Sequence, residues 1–230
     1  MASKPDTLGV SPSPAPGDHP APETNAWQGE LRVSEDTFVR VLEDAVRALD
    51  DAGVPYVLMG GIGSAAHGRP RWTHDIDFFV RPEEARTALD ALASAGFATQ
   101  ETDQHWLYKG LKDDVLVDVI FRSKGDVYLD EDMLEHADVR TFKGVHVRTI
   151  SPEDLLIIKA IVHEENIPHH WHDALSIISG AADAIEWEYL VRRAKQHGTR
   201  RVLSVLLYAQ SNDLMVPNAV IHELFDAVYG

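Results

Sequence analysis

The chain has 230 residues, 44% hydrophobic and 25% charged, a balance that suits one globular domain with a sizeable core, or a domain plus a helical extension. Its 37 acidic and 21 basic residues leave a net charge of −16, which argues against a large nonspecific DNA-binding face, because neutralising phosphates takes clustered Lys and Arg. The absence of cysteine excludes disulfides and thiolate zinc sites, and the longest apolar runs, such as residues 202–209, fall short of the roughly 20 residues that cross a bilayer.

Residues 1–29 carry six of the twelve prolines and few large apolar side chains, so they are expected to form a disordered tail; no apolar leader of the signal-peptide kind precedes the rest, which makes the cytoplasm the expected location. From Ser34, an N-cap, the apolar residues Phe38, Val41, Leu42, Ala45, Val46 and Leu49 recur at helical spacing until Gly53. A short strand, Tyr56 to Met59, leads into a glycine-rich turn and a brief helix, Gly60 to His67. Glycines at 60, 61 and 63 let backbone N–H groups close on phosphate oxygens at a helix N-terminus, and Ser64 adds a hydroxyl; the plainer reading is an ordinary strand-to-helix turn.

Asp75 to Val80 reads as the next strand. Side chains alternate along a strand, so Asp75 and Asp77 point the same way, about 6.6 Å apart. Two like charges so placed repel unless a cation lies between them, and a hard divalent ion with oxygen ligands, most simply Mg²⁺, resolves that repulsion. Pro82 starts a second helix through Ala95; Phe97 to Thr99 and Trp106 to Lys109 are read as strands, and Lys112-Asp113-Asp114 as a turn. Val115 to Phe121 is then a buried strand interrupted by Asp118, a carboxylate that needs either a salt-bridge partner or a task.

A short helix near Glu131 to Ala137 and a hairpin around Gly144 follow. Ser151-Pro152-Glu153-Asp154 is a helix start with N-cap, proline and acids at the positive end of the dipole. Helices near 171–179, 184–197, 199–212 and 217–228 complete a C-terminal bundle. The expected fold is α+β: a small mixed β-sheet flanked by helices over residues 30–150, followed by a helical subdomain over 151–230.

Gly63-Ser64, ten residues, then Asp75-Ile76-Asp77 resembles the G-S-x10-D-x-D signature of the DNA polymerase beta type nucleotidyltransferase superfamily. The whole stretch Gly60 to Asp77 is similar to its small bacterial branch, which includes abortive-infection and toxin–antitoxin nucleotidyltransferases and the minimal and aminoglycoside-type enzymes. The resemblance implies transfer of a nucleoside monophosphate from an NTP to a hydroxyl on a tRNA end, a protein side chain or a small molecule, with two Mg²⁺ ions. It makes Asp75, Asp77 and Asp118 the metal-holding catalytic carboxylates, and Gly60, Gly61, Gly63, Ser64, Arg71 and Lys159 the nucleotide-binding residues. An antitoxin protein is a partner that the resemblance alone suggests.

Alternatives stay open at several of these positions. Arg69 reads equally as a solvated arginine, and Lys159 as a surface lysine. His163, His169, His170 and His172 are four histidines in ten residues, readable as a zinc site, and His172-Asp173 as a phosphohydrolase dyad. In the family pattern a lysine stands where this chain has His172, and the second acid is missing from 174–177, which leaves Asp173 to orient Lys159 or an arginine. The rival to turnover is a catalytically silent nucleotide-binding or antitoxin-like module of the same fold.

Overall fold

The computed structural model describes residues 33–68, 73–164 and 169–230, and the expected tail and Arg71 lie outside them. The first helix, α1 (Glu35–Asp51), is capped by the Ser34 hydroxyl, which accepts from the Thr37 N–H at 3.2 Å, and it buries the apolar stripe from Phe38 to Leu49. Strand β1 (Tyr56–Leu58), helix α2 (Gly60–His67) and strand β2 (Asp75–Val80) follow. A 3₁₀ turn at Pro82–Glu84 precedes α3 (Ala85–Ser94), because proline at the first position tightens the entry that the sequence suggested as plain helix.

Strands β3 (Ala98–Asp103), β4 (Leu107–Lys112) and β5 (Val115–Ile120) form a meander, then come α4 (Glu131–Glu135) and the hairpin β6 (Asp138–Phe142) and β7 (Val145–Thr149). The two residues joining β4 to β5, Asp113 and Asp114, both have positive φ, 49° and 62°, the conformation of a tight hairpin turn. Trp106, expected in a strand, lies in the turn before β4. The seven strands make one mixed sheet in the order β3-β4-β5-β2-β1-β7-β6, with β2 parallel to β5 and antiparallel to β1. The α+β expectation, with a mixed sheet, flanking helices and C-terminal helices, matches the structure.

Alternation sorts the two faces. Ile76, Phe78 and Val80 of β2, with Val115, Val117 and Val119 of β5, join α1 and α3 in one apolar cluster. Phe79 joins the other, built mainly from α5 (Pro152–Val162), α6 (His169–Ala181), α7 (Trp187–His197), α8 (Thr199–Ser211) and α9 (Asn218–Tyr229). Asp75, Asp77 and Asp118 therefore emerge on the α5 face of the sheet. Helix α5 is fixed at its start by the Ser151 cap and by Asp154, which accepts from Arg193 Nε at 2.9 Å and Tyr189 OH at 2.6 Å. Val33–Gly230 forms one compact unit.

Candidate active site

The register of the parallel pair places Asp77 directly beside Asp118, with Asp75 beside Leu116. Neighbouring strands lie about 4.8 Å apart, so three carboxylates start from adjacent points on one face. The α2 turn closes on them from the side, where the Met59 N–H donates to the Asp77 carbonyl at 3.0 Å. Gly60 has φ +55°, and a Cβ there would lie 1.8 Å from Asp77 Oδ2; a Cβ on Gly61 would lie 2.1 Å from Thr73 Oγ1. The two glycines thus make room for Asp77 and Thr73, while the Gly61 N–H donates to the Asp77 carboxylate. Thr73 Oγ1 in turn donates to Asp75 Oδ1 at 2.7 Å.

Burial, and then the charges of Asp75 and Asp118, push the Asp77 carboxyl up to about 7, against the pull of Lys159 and the Gly61 N–H. Burial also raises Asp118, although Lys109 Nζ donates to its Oδ1 at 2.7 Å. Such a carboxylate cluster carries more negative charge than its surroundings compensate, and its all-oxygen donors fit a hard divalent cation. As the side chains stand, no group of three or more His, Asp or Glu among the described residues is arranged to hold a metal. Asp118 instead faces Lys109, the salt-bridged state kept open for it above.

Lys159 is not a surface lysine. It is 4% exposed, and its Nζ donates to Asp173 Oδ2 at 2.9 Å. The same carboxylate oxygen accepts from Ser64 Oγ at 3.2 Å, and that hydroxyl lies 2.7 Å from the Gly60 carbonyl. Ser64, expected to face phosphate, is thus committed behind the turn to the Lys159–Asp173 pair. Gly63 packs its bare backbone on α5, where a Cβ would lie 3.1 Å from Leu155 Cδ2.

A cavity of about 1040 Å³ opens over this face, and Gly60, Gly61, Thr73, Asp75, Asp77 and Lys159 are among its lining residues. Its other walls include Trp106, Ile120, Arg122, Lys124 and the α6 histidines His169 and His170. Gly63, Ser64 and Asp118 are not among its lining residues. Burial, then Lys159 and His169, hold His170 down to about 4, so it is neutral, and Asp173 turns inward to Lys159 instead of forming a dyad with His172.

Lys109 and Trp106 escaped the sequence reading. The signal for Lys109 was present: counting back across the Asp113-Asp114 turn pairs Lys112 with Val115 and Lys109 with Asp118.

Among curated proteins none matches the chain. Nineteen solved chains do. The antibiotic-resistance factor ANT(2'')-Ia is 16% identical over 78% of this chain and 94% of its own, with a TM-score of 0.50. A nucleotidyltransferase-like antigen of Paracoccidioides brasiliensis is 18% identical over 83% and 99%, TM-score 0.47. The lincosamide adenylyltransferase LnuA is 16% identical over 63% and 98%, TM-score 0.44. None of these names speaks of abortive infection or of a toxin–antitoxin pair, so that branch stays an expectation. At such identity the likeness is one of fold. The family described as uncharacterised nucleotidyltransferases matches residues 16–212, and the chain belongs to that nucleotidyltransferase family.

Proposed function

We propose that this chain transfers a nucleoside monophosphate from an NTP to a hydroxyl acceptor, with Mg²⁺ held by Asp75, Asp77 and Asp118. The observation that carries the reading is the placement of Asp75, Asp77 and Asp118 on one face of adjacent strands, with Asp77 packed against the Gly60 turn. In the reaction the acceptor oxygen bonds to the α-phosphorus, the bond to the α–β bridging oxygen breaks, and pyrophosphate leaves. Asp75, Asp77 and Asp118 would hold the metal, two ions in this reading, which when bound would supply positive charge for the attacking and leaving oxygens. Asp118, once clear of Lys109, takes or orients the hydroxyl proton. Lys159, held by Asp173, presents its charge to the phosphates beside the turn of Gly60 and Gly61, and Arg71 is a further candidate for the β and γ phosphates. Gly63 and Ser64 support that turn from behind.

The acceptor candidates are a tRNA end, a protein side chain and a small molecule, in a cytoplasmic setting, and an antitoxin partner belongs to the same reading. The test is incubation with each α-labelled NTP, Mg²⁺ and a mixture of tRNA, protein and small hydroxyl compounds, comparing wild type with Asp77→Ala. Label transfer confined to wild type supports the proposal. A second reading, a silent nucleotide-binding module, is favoured by the Asp118–Lys109 pair and by the absence of Asp118 from the described residues that line the cavity. NTP binding without transfer to any acceptor would select it.

A further inference from the structure

We propose that the acceptor is a nucleotide, with its base on the face of Trp106 and its phosphate on Arg122 and Lys124; this rests on the transfer reading above. Trp106 lines the cavity and is 43% exposed, so a ligand in the cavity can reach its ring. Its ring is nevertheless held in place. The indole Nε1–H donates to Asp103 Oδ2 at 3.0 Å, the other Asp103 oxygen accepts from the His105 N–H at 2.8 Å, and the Trp106 carbonyl accepts from the Phe121 N–H at 3.0 Å. The one polar atom of the ring is thereby satisfied at its edge, which leaves the π face for a ligand. No ring among the described residues stacks on it. The apolar side chains of Ile120 and Ile158 line the same cavity, so a flat ring there trades water for apolar surface.

Charge selects among flat hydroxyl compounds. Arg122 and Lys124 follow β5 on the cavity wall, each half-exposed and paired with a surface carboxylate, Asp126 and Glu164. Exposed pairs of this kind are weak and exchange readily, so a phosphate can replace either carboxylate. Apart from Asp75 and Asp77, Glu164 is the one carboxylate among the described lining residues, and it is already taken by Lys124. With Asp75 and Asp77 given to the metal, a polycationic acceptor would have Glu164 to displace from Lys124 against the three cations Arg122, Lys124 and Lys159. The net charge of −16 disfavours a long polyanion as well, which points to a mononucleotide or the end of a short strand. Trp106 lies beyond β5, on the side of Asp118, whereas the glycine turn and Lys159 flank Asp77, so donor and acceptor would enter from opposite ends.

The experiment follows transfer from α-labelled NTPs to adenosine monophosphate, to a short single-stranded oligoribonucleotide and to tobramycin, in wild type, Trp106→Ala and Trp106→Phe. Expected are labelled mononucleotide or oligonucleotide, an acceptor KM raised about tenfold in Trp106→Ala with NTP KM unchanged, and near wild-type behaviour of Trp106→Phe. The mononucleotide and oligonucleotide arms separate a free acceptor from a strand end. Preference for tobramycin, or an acceptor KM unmoved by Trp106→Ala, overturns the proposal. A second measurement needs no turnover: with a non-hydrolysable NTP analogue bound, adenosine monophosphate or the oligonucleotide should quench wild-type tryptophan fluorescence more than that of Trp106→Phe. Quenching without transfer would defeat the transfer reading and leave the stacking site standing; equal quenching in the two proteins would defeat the stacking site alone.

Discussion

Lys109 Nζ donates to Asp118 Oδ1 at 2.7 Å, from the position directly opposite on the neighbouring strand. The lysine thus occupies the carboxylate to which the proposed reaction assigns a metal ion. Lys109→Met removes the competitor, and divalent-ion binding at pH 8 should tighten by about three- to tenfold, the ~1 kcal/mol of a partly exposed pair. Lys109→Arg should leave it unchanged. Titration with Mn²⁺ followed by electron paramagnetic resonance reads the difference, and weaker binding by Lys109→Met would contradict it.

Asp77 is repelled by its neighbours, so Asp77→Asn should abolish transfer while raising thermal stability in chelator at pH 8. The sign follows from the charge. A carboxyl pushed up to about 7 from an ordinary 3.8 is destabilising when ionised, and that cost is present above 7 and relieved as the pH falls towards 3.8. Each kcal/mol of relief corresponds to about 2–4 °C in Tm for a chain of this size. Calorimetry on wild type and variant tests it, and a lower Tm for Asp77→Asn is the contrary result.

Gly60 and Gly53 form a controlled pair. Both have positive φ, +55° and +68°, but a Cβ on Gly60 meets Asp77 Oδ2 at 1.8 Å whereas one on Gly53 meets nothing within 4 Å. Gly53→Ala should cost about 1 kcal/mol and spare activity. Gly60→Ala should displace the carboxylate, lose at least about 90% of activity and cost about 1–3 kcal/mol. Urea unfolding beside a transfer assay separates the two effects.

The buried pair Lys159–Asp173 should be intolerant of half-removal. Asp173→Ala strands a lysine that is 4% exposed and should cost about 3–5 kcal/mol. The double substitution Lys159→Met with Asp173→Leu should recover most of that stability without recovering transfer. A double-mutant cycle in denaturant measures the coupling.

His67 is 5% exposed and its Nε2 lies 2.7 Å from the Ile150 carbonyl, with Thr149 Oγ1 beside it at 3.5 Å. Burial, the largest influence, lowers its pKa from 6.5; the Ile150 carbonyl opposes that, Arg140 adds to it and Asp138 opposes it. The unfolded chain therefore takes up the proton first. Stability from this group is full above 6.5 and is lost as the pH falls towards the lowered value. His67→Gln should flatten the acid limb of the stability–pH curve, though not abolish it, because His170 and His197 are lowered as well.

What could be read from the chain was whatever is local or periodic. The Ser151-Pro152 start of α5, the α1 stripe and the same-face relation of Asp75 and Asp77 follow from caps and alternation within a few residues. Asp118 was visible because a carboxylate in a run of Val and Leu is costly. Its partner was one step of hairpin counting away. Ser64 could not be placed the same way: its link to Asp173 spans 109 residues and depends on how α6 lies against α2. Nothing in the local sequence of either helix encodes that meeting. The glycine turn was legible as a site of close approach, but what approaches Gly60 is Asp77 itself.

The pairing of β2 with β5 also sets when the proposed site can assemble during synthesis. Asp77 reaches its neighbour Asp118 only after the meander β3–β4 has been made and folded past it, and Lys159 and Asp173 are translated later still. Contacts of such long sequence separation form slowly, since the intervening loop must close before any gain is realised. A ribosome-bound fragment ending before residue 118 has its acidic strand paired on the β1 side alone, so the proposed cluster of three carboxylates is incomplete until β5 has emerged.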